Sequence, residues 1–180
     1  MNIQARILAR KIIMTYLYEK YIADYTAQSP SIMKEVQDVV IPHSALEQGE
    51  QSTTVNTQAM LAAQFPSSDF DADITYLIQH CFEKLAERGI DMDYINTMAP
   101  AFSLYADKIP ALVNAHTTTF NYDDMDVIDR VIFLLGYAEF SLMKTPKEVV
   151  MNEMIELAKK YGDEGSSKLI NAILHKVLSA

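Results

Sequence analysis

The sequence predicts an all-α protein, and three observations carry that expectation. Apolar residues recur at three- and four-residue spacing in several long segments. Acids, Ser and Pro open those segments, while Lys, Arg and Gly close them, as helix ends require. Only 5 Gly and 6 Pro stand against 10 Met and abundant Leu and Ile, a composition that favours helix. No convincing strand and no internal repeat appear.

Residues 3–24 predict the first helix. Ile3, Ile7, Leu8, Ile12, Ile13 and Leu17 occur all round it, so most of its faces should be covered. "SPSIMKEVQDVVI" offers Ser29 as N-cap and Pro30 at the first helical position, predicting a short helix over 31–40 that Pro42 ends. Residues 43–58, "HSALEQGEQSTTVNTQ", are polar and aperiodic and predict a flexible surface insertion. A helix can return at 58–65. "SSDFDADITYLIQHCFEKLAERG" predicts one continuous helix stopped at Gly89. "IDMDYINTMAPAFSLYADKIPALVNAH" predicts helix broken near Pro100 and Pro110.

"NYDDMDVIDRVIFLLGYAEFSLMK" has acids at its start and Lys144 at its end. Its centre, "VIFLLGYA", could be a buried strand by itself, but the length and flanking charges predict a central buried helix. In "TPKEVV", Thr145, Pro146 and Glu148 predict a capping box. Val150, Met151, Met154, Ile155, Leu157, Ala158 and Tyr161 then share one side of a helix over 147–161, with Gly162 as its stop. Leu169, Ile170, Ile173, Leu174, Val177 and Leu178 form the stripe of a last helix over 167–178, with Ser166 as N-cap. The C-terminus is therefore a helical hairpin.

Composition excludes several function classes. The net charge of −9 removes bulk attraction to nucleic acid, so any polyanion site must be local. The lone Cys81 forms no intrachain disulfide and suits a reducing cytoplasm. No apolar run reaches membrane-spanning length, and the basic N-terminus followed by "IIMTYLY" is too short and polar for an export signal. His43, His80, His116 and His175 are scattered, and His80–Cys81 point to different helix faces, so neither a metal nor a cofactor is expected. There is no phosphate loop, zincin motif or nucleophile elbow, and the paired acids precede helices. The chain does not read as an enzyme.

One feature runs against helix electrostatics. A helix N-terminus carries about +0.5 of an elementary charge and disfavours cations. Yet Arg6, Arg10 and Lys11 crowd the start of the first helix, with no acid before Glu19. Arg6 and Arg10, spaced i, i+4, share a face.

The stretch "PKEVVMNEMIELAKKYGDEGSSKLINAILHKVL" resembles the signature of the NusB family of bacterial transcription antitermination factors. The matching residues are Pro146, Val149, Asn152–Glu153, Ile155–Lys159, Gly162, Glu164, Ser166, Lys168, Asn171 and Leu174. "DRVIFLLGYAEF" resembles that family's buried helix, with Leu134 where an arginine is usual. "ARKIIMTYLY" resembles its arginine-rich first helix, ending here in Leu17–Tyr18. About half the chain carries the resemblance, and residues 25–70 run longer than usual.

The resemblance implies two packed helical subdomains within one NusB-like domain over 1–180. It implies binding of boxA-like single-stranded RNA together with a small-subunit ribosomal protein, joined to an elongating RNA polymerase. Monomer and homodimer are both open. RNA contacts would come from Arg6, Arg10 and Lys11 at the first helix and from the hairpin turn through Ser166 and Lys168; the alternative for Arg6 and Arg10 is a solvated basic edge paired with acids from the acidic body. Tyr18 could stack on a base, but burial beside Leu17 is the stronger expectation. Ile7 and Leu8 stand where further arginines are common. Asp129 matches a position near the partner protein, with a first-turn helix acid as the alternative. Asn152, Glu153 and Asn171 are expected to be structural. Two other readings stand beside this one: a protein-interaction module of the same fold with reduced or no RNA affinity, or a fragment of an rRNA methyltransferase that carries such a domain.

Overall fold

The computed structural model describes residues 2–28, 69–87 and 89–179, and every regular element among them is helical. The helix expected over 31–40, the insertion at 43–58 and the helix at 58–65 lie outside the described residues.

Helix α1 spans Ile3–Gln28. It buries Ala5, Leu8, Ala9, Ile12, Ile13, Met14, Tyr16 and Leu17, the wide apolar coverage its sequence calls for. Helix α2 is Phe70–Cys81, with the Asp69 side chain accepting from the amides of Asp71 and Ala72. The helix expected to run unbroken to Gly89 stops here. Phe82 leaves helical geometry (φ −126°, ψ 10°), and its ring packs against the core. A single turn, α3 (Glu83–Ala86), follows. Gly89 adopts φ 88°, a left-handed conformation that glycine takes without a Cβ penalty.

Helices α4 (Met92–Met98), α5 (Ala101–Tyr105) and α6 (Ile109–His116) come next. Asp91 caps α4 by accepting from the Tyr94 amide at 3.0 Å. Pro100 is the residue before α5, and Pro110 lies in the first turn of α6. Both prolines open a helix, where a missing N–H costs nothing. Asp123 and Asp124 belong to a separate 3-10 turn, Tyr122–Asp124, in which the Asp124 carboxylate accepts from the Asn121 amide at 2.8 Å.

Helix α7, Val127–Met143, is the central buried helix. Residues Val131 through Gly136, Ala138 and Glu139 are all buried along it. Helices α1, α4 and α5 and the C-terminal hairpin pack around it, and the described apolar residues join in one continuous core. Gly136 permits the close approach of the hairpin: a Cβ there would stand 2.7 Å from Met154 Cγ.

The hairpin comprises α8 (Lys147–Tyr161) and α9 (Ser166–Val177). The expected capping box does not form. Lys144 turns through φ 55°, Pro146 is extended at the N-cap, and no side chain caps the helix. At the other end Gly162 is extended rather than left-handed, with its amide bonded to the Ala158 carbonyl. Its smallness serves proximity, because a Cβ would collide with the Ser166 side chain and with the Ala158 oxygen.

Candidate functional site

The cations of α1 do not form the open basic patch that an exposed helix start would present. Arg10 is buried. Its Nε and Nη2 donate to the two carboxylate oxygens of Glu139 on α7, at 2.9 and 2.8 Å. Its Nη1 donates to Glu153 on α8 at 2.9 Å. The Tyr94 hydroxyl on α4 donates to the same Glu139, also at 2.9 Å. Glu139 has no solvent exposure, so these three donors replace its water. Burial disfavours the charged guanidinium, but the carboxylates outweigh it and hold Arg10 above its ordinary pKa. Burial, reinforced by Glu139, pushes the Tyr94 phenol well above its usual range.

Arg6 makes a second link. Its Nε donates to Asp91 Oδ2 at 2.7 Å, and its guanidinium lies 4.8 Å from the centre of the Tyr94 ring. Burial alone would raise the Asp91 pKa, yet the bond from Arg6 and the Tyr94 amide bring it below its ordinary value. Two of the three cations at the helix start are therefore neutralised by acids from α7, α8 and the N-cap of α4. This is how the chain tolerates them there. Lys11 remains half-exposed on the far side, facing α8.

The other candidates divide between surface and interior. Tyr18 is not buried beside Leu17: Leu17 fills the core at 0% exposure, and Tyr18, about one 100° step further round the helix, is 40% exposed. Lys11 and Tyr18, seven residues apart, lie on one face of α1. Lys168 is exposed on α9. Ser166 is not the N-cap of α9 but its first helical residue, and it is buried. The N-cap is Gly165, with no side-chain cap bond, and the turn before it is held by Asp163, whose Oδ1 accepts from the Gly165 and Ser166 amides at 2.7 and 2.8 Å and from the Ser166 hydroxyl at 3.0 Å. Those bonds hold the exposed Asp163 carboxyl below its ordinary pKa.

Asp129 was expected near a partner's surface, yet only 3% of it is exposed. It points inward toward the hairpin turn. Its Oδ1 finds no hydrogen-bond partner, and burial lifts its pKa against the pull of the nearby Ser166 hydroxyl. Glu153 is structural, as expected: it accepts from Arg10 and ties α8 to α1. The arginines are paired with acids, as the alternative expectation had it, but Arg10 is buried rather than solvated, and the partners Asp91, Tyr94 and Glu139 were not identified from sequence. The available signal was an unbalanced arginine pair facing a glutamate inside an otherwise apolar helix.

Among the described residues no three His, Cys, Asp or Glu side chains gather as a metal site, and no helix is long and apolar enough to cross a membrane. The arrangement presents one partly exposed lysine–tyrosine face on α1, an exposed lysine on α9 and a rigid internal ion-pair hub.

The model of the NusB family matches residues 51–179, a span that leaves α1 outside. A transcription antitermination protein NusB from Pediococcus pentosaceus is 30% identical over 112 residues, covering 62% of this chain and 84% of the relative. One from Syntrophomonas wolfei is 35% identical over 106 residues, covering 57% of this chain and 75% of the relative. One from Fusobacterium nucleatum is 29% identical over 86 residues, covering 48% of this chain and only 56% of the relative. The matched span includes the buried α7 and the α8–α9 hairpin whose residues first suggested the likeness. The chain belongs to the NusB family.

Proposed function

We propose that this chain is an RNA-binding transcription antitermination and rRNA-biogenesis factor. In this reading it binds a boxA-like single strand together with a small-subunit ribosomal protein and joins an elongating RNA polymerase. Membership of the NusB family, through residues 51–179, carries the reading. The relatives named above are transcription antitermination proteins.

At residue level the burial pattern supports a redistributed RNA surface. Lys11 and Tyr18 share a face of α1, and Lys168 is exposed on α9. Lysines supply point charges to phosphate and the tyrosine ring a stacking platform. Arg6 keeps an edge near solvent but is bonded to Asp91. Arg10 and Ser166 take supporting roles: Arg10 fixes α1 on α7 and α8, and Ser166 fixes the hairpin turn.

The test is a salt titration of binding to a short boxA-like RNA, with the ribosomal partner supplied. Two phosphate contacts, from Lys11 and Lys168, give a log–log slope of roughly −1.4, at about −0.7 per phosphate. Lys11→Ala with Lys168→Ala should remove most of that slope while the circular dichroism spectrum stays unchanged. Equal slopes in both proteins would take these lysines out of the interface. No binding by the wild type at low salt would favour the protein-interaction reading, which the internally neutralised arginines already suit.

A further inference from the structure

The hairpin turn and the central helix meet at one hydroxyl that two carboxyl groups share. Ser166 is buried, and its Oγ accepts from the Asp163 amide at 2.9 Å while donating to Asp163 Oδ1 at 3.0 Å. The Asp129 carboxyl, from the first turn of α7, adjoins the same hydroxyl. Its Oδ1 is buried without a hydrogen-bond partner. Among the described residues, the charges that act on Asp129 are both carboxylates, Asp163 from the turn and Asp126 from the start of α7. Arg130, the next residue, directs its guanidinium to the carbonyls of Met125 and Asp123. Gly162 packs so closely on Ser166 that a Cβ there would collide with the serine side chain, which leaves the hydroxyl little room to turn away.

A serine hydroxyl carries one hydrogen and two lone pairs. With both aspartates ionised, two carboxylates compete for that one hydrogen, and one of them goes without. A proton on Asp129 removes the deficit. Its O–H then donates to one lone pair of Ser166 Oγ, the Asp163 amide keeps the other, and the serine hydrogen stays on Asp163 Oδ1.

We propose that Asp129, Ser166 and Asp163 form a proton-operated latch that fastens the hairpin turn to α7. In the closed state Asp129 holds a proton and Asp163 is ionised. Loss of the Asp129 proton to water leaves ionised carboxylates facing each other across the serine, and their repulsion loosens the turn. Protonation of Asp163 opens the latch from the other side, because its Oδ1 is the acceptor for the Gly165 and Ser166 amides. The latch is therefore closed only within a window of pH. The fold widens that window: burial moves the Asp129 carboxyl up, and the bonds from the Ser166 hydroxyl and the two amides move Asp163 down. The exposed Lys168 rides on the first turn of α9, so the latch also fixes where that cation stands.

The latch is independent of the RNA reading, because it needs no ligand. Hydrogen exchange of the Gly165 and Ser166 amides in the full chain tests it, with the Asp129 and Asp163 carboxyl carbons followed by NMR over about pH 2–8. After correction for the intrinsic pH dependence of exchange, protection should rise as Asp163 ionises. It should then fall about fivefold as Asp129 ionises, the effect of losing one hydrogen bond. Asp129 should titrate above the ordinary aspartate value of about 3.9, and Asp163 below it. Asp129→Asn places a permanent donor beside Ser166 and should keep protection high to the upper end of the range. The inference is overturned if Asp129 titrates at or below the ordinary value, if protection follows Asp163 alone, or if the fall persists in Asp129→Asn.

Discussion

Glu139 is a carboxylate with no exposure on the central helix, and its charge is tolerated because Arg10 and Tyr94 point three donors at it. Removing one partner of such a pair leaves the other buried and unpaired. Arg10→Ala should therefore cost about 3–5 kcal/mol, far more than a lost surface cation. Urea unfolding of the purified variant measures it, and a loss under about 1 kcal/mol would mean that water reaches Glu139. Arg10→Lys keeps the charge but loses the planar fork and should fall between. Asp129 has the opposite sign of problem. Its folded-state pKa is raised by burial and by its acidic neighbours Asp163 and Asp126, against the Ser166 hydroxyl. The folded state thus binds a proton more readily than the unfolded one. Asp129 costs no stability below its unfolded pKa and costs progressively more as pH rises through the folded value. Asp129→Asn should raise the melting temperature at about pH 7 and change it little at about pH 3. An equal shift at both pH values would assign the effect to something other than ionisation. An Asp129→Lys variant is expected to unfold the hairpin junction rather than report on a partner.

At the scale of elements, the hairpin turn depends on two glycines for different reasons. Gly162 lies where a Cβ would collide with Ser166 and with the backbone oxygen of Ala158, while a Cβ on Gly165 would meet only the Asp163 Oδ1 at 3.4 Å. Gly162→Ala should lose about 1–3 kcal/mol by overpacking, and Gly165→Ala should be nearly neutral. Differential scanning calorimetry of the two variants separates them, and equal losses would show that the turn relaxes. Sequence signals located this hairpin to within a residue or two because stripe and stop residues are local. The cap was misassigned to Thr145–Glu148 because Lys144 enters a left-handed conformation that delays the helix start to Lys147. The break at Phe82 escaped notice for a related reason. A phenylalanine continues a helical stripe in sequence, and only the core it packs against pulls it out of line.

At the scale of the whole molecule, α1 ties several of the other helices together. It packs on α2, α4 and α7, and its arginines reach Asp91, Glu139 and Glu153. With one continuous core among the described residues, unfolding should be a single cooperative event. Far-ultraviolet circular dichroism and tyrosine fluorescence melts should coincide. Two separated transitions would show that α1 and the hairpin unfold as independent units.

The sequence by itself determined the all-α class, the central helix over "VIFLLGYA" and the C-terminal hairpin, as well as the kinship of the chain. Each follows from spacing, capping residues and short motifs, which act over a few turns of chain. Tertiary structure alone decided the fate of the N-terminal cations. Arg6 finds its acid 85 residues away and Arg10 finds Glu139 129 residues away. No periodicity encodes such a pairing, because it depends on which helix faces meet once α7 is covered. Burial then fixes the outcome: a guanidinium removed from water must be matched by carboxylates, and the fold supplies them from three other segments. The same packing turned Tyr18 outward, drew Asp129 and Ser166 inward, and left Lys11 half-exposed facing α8.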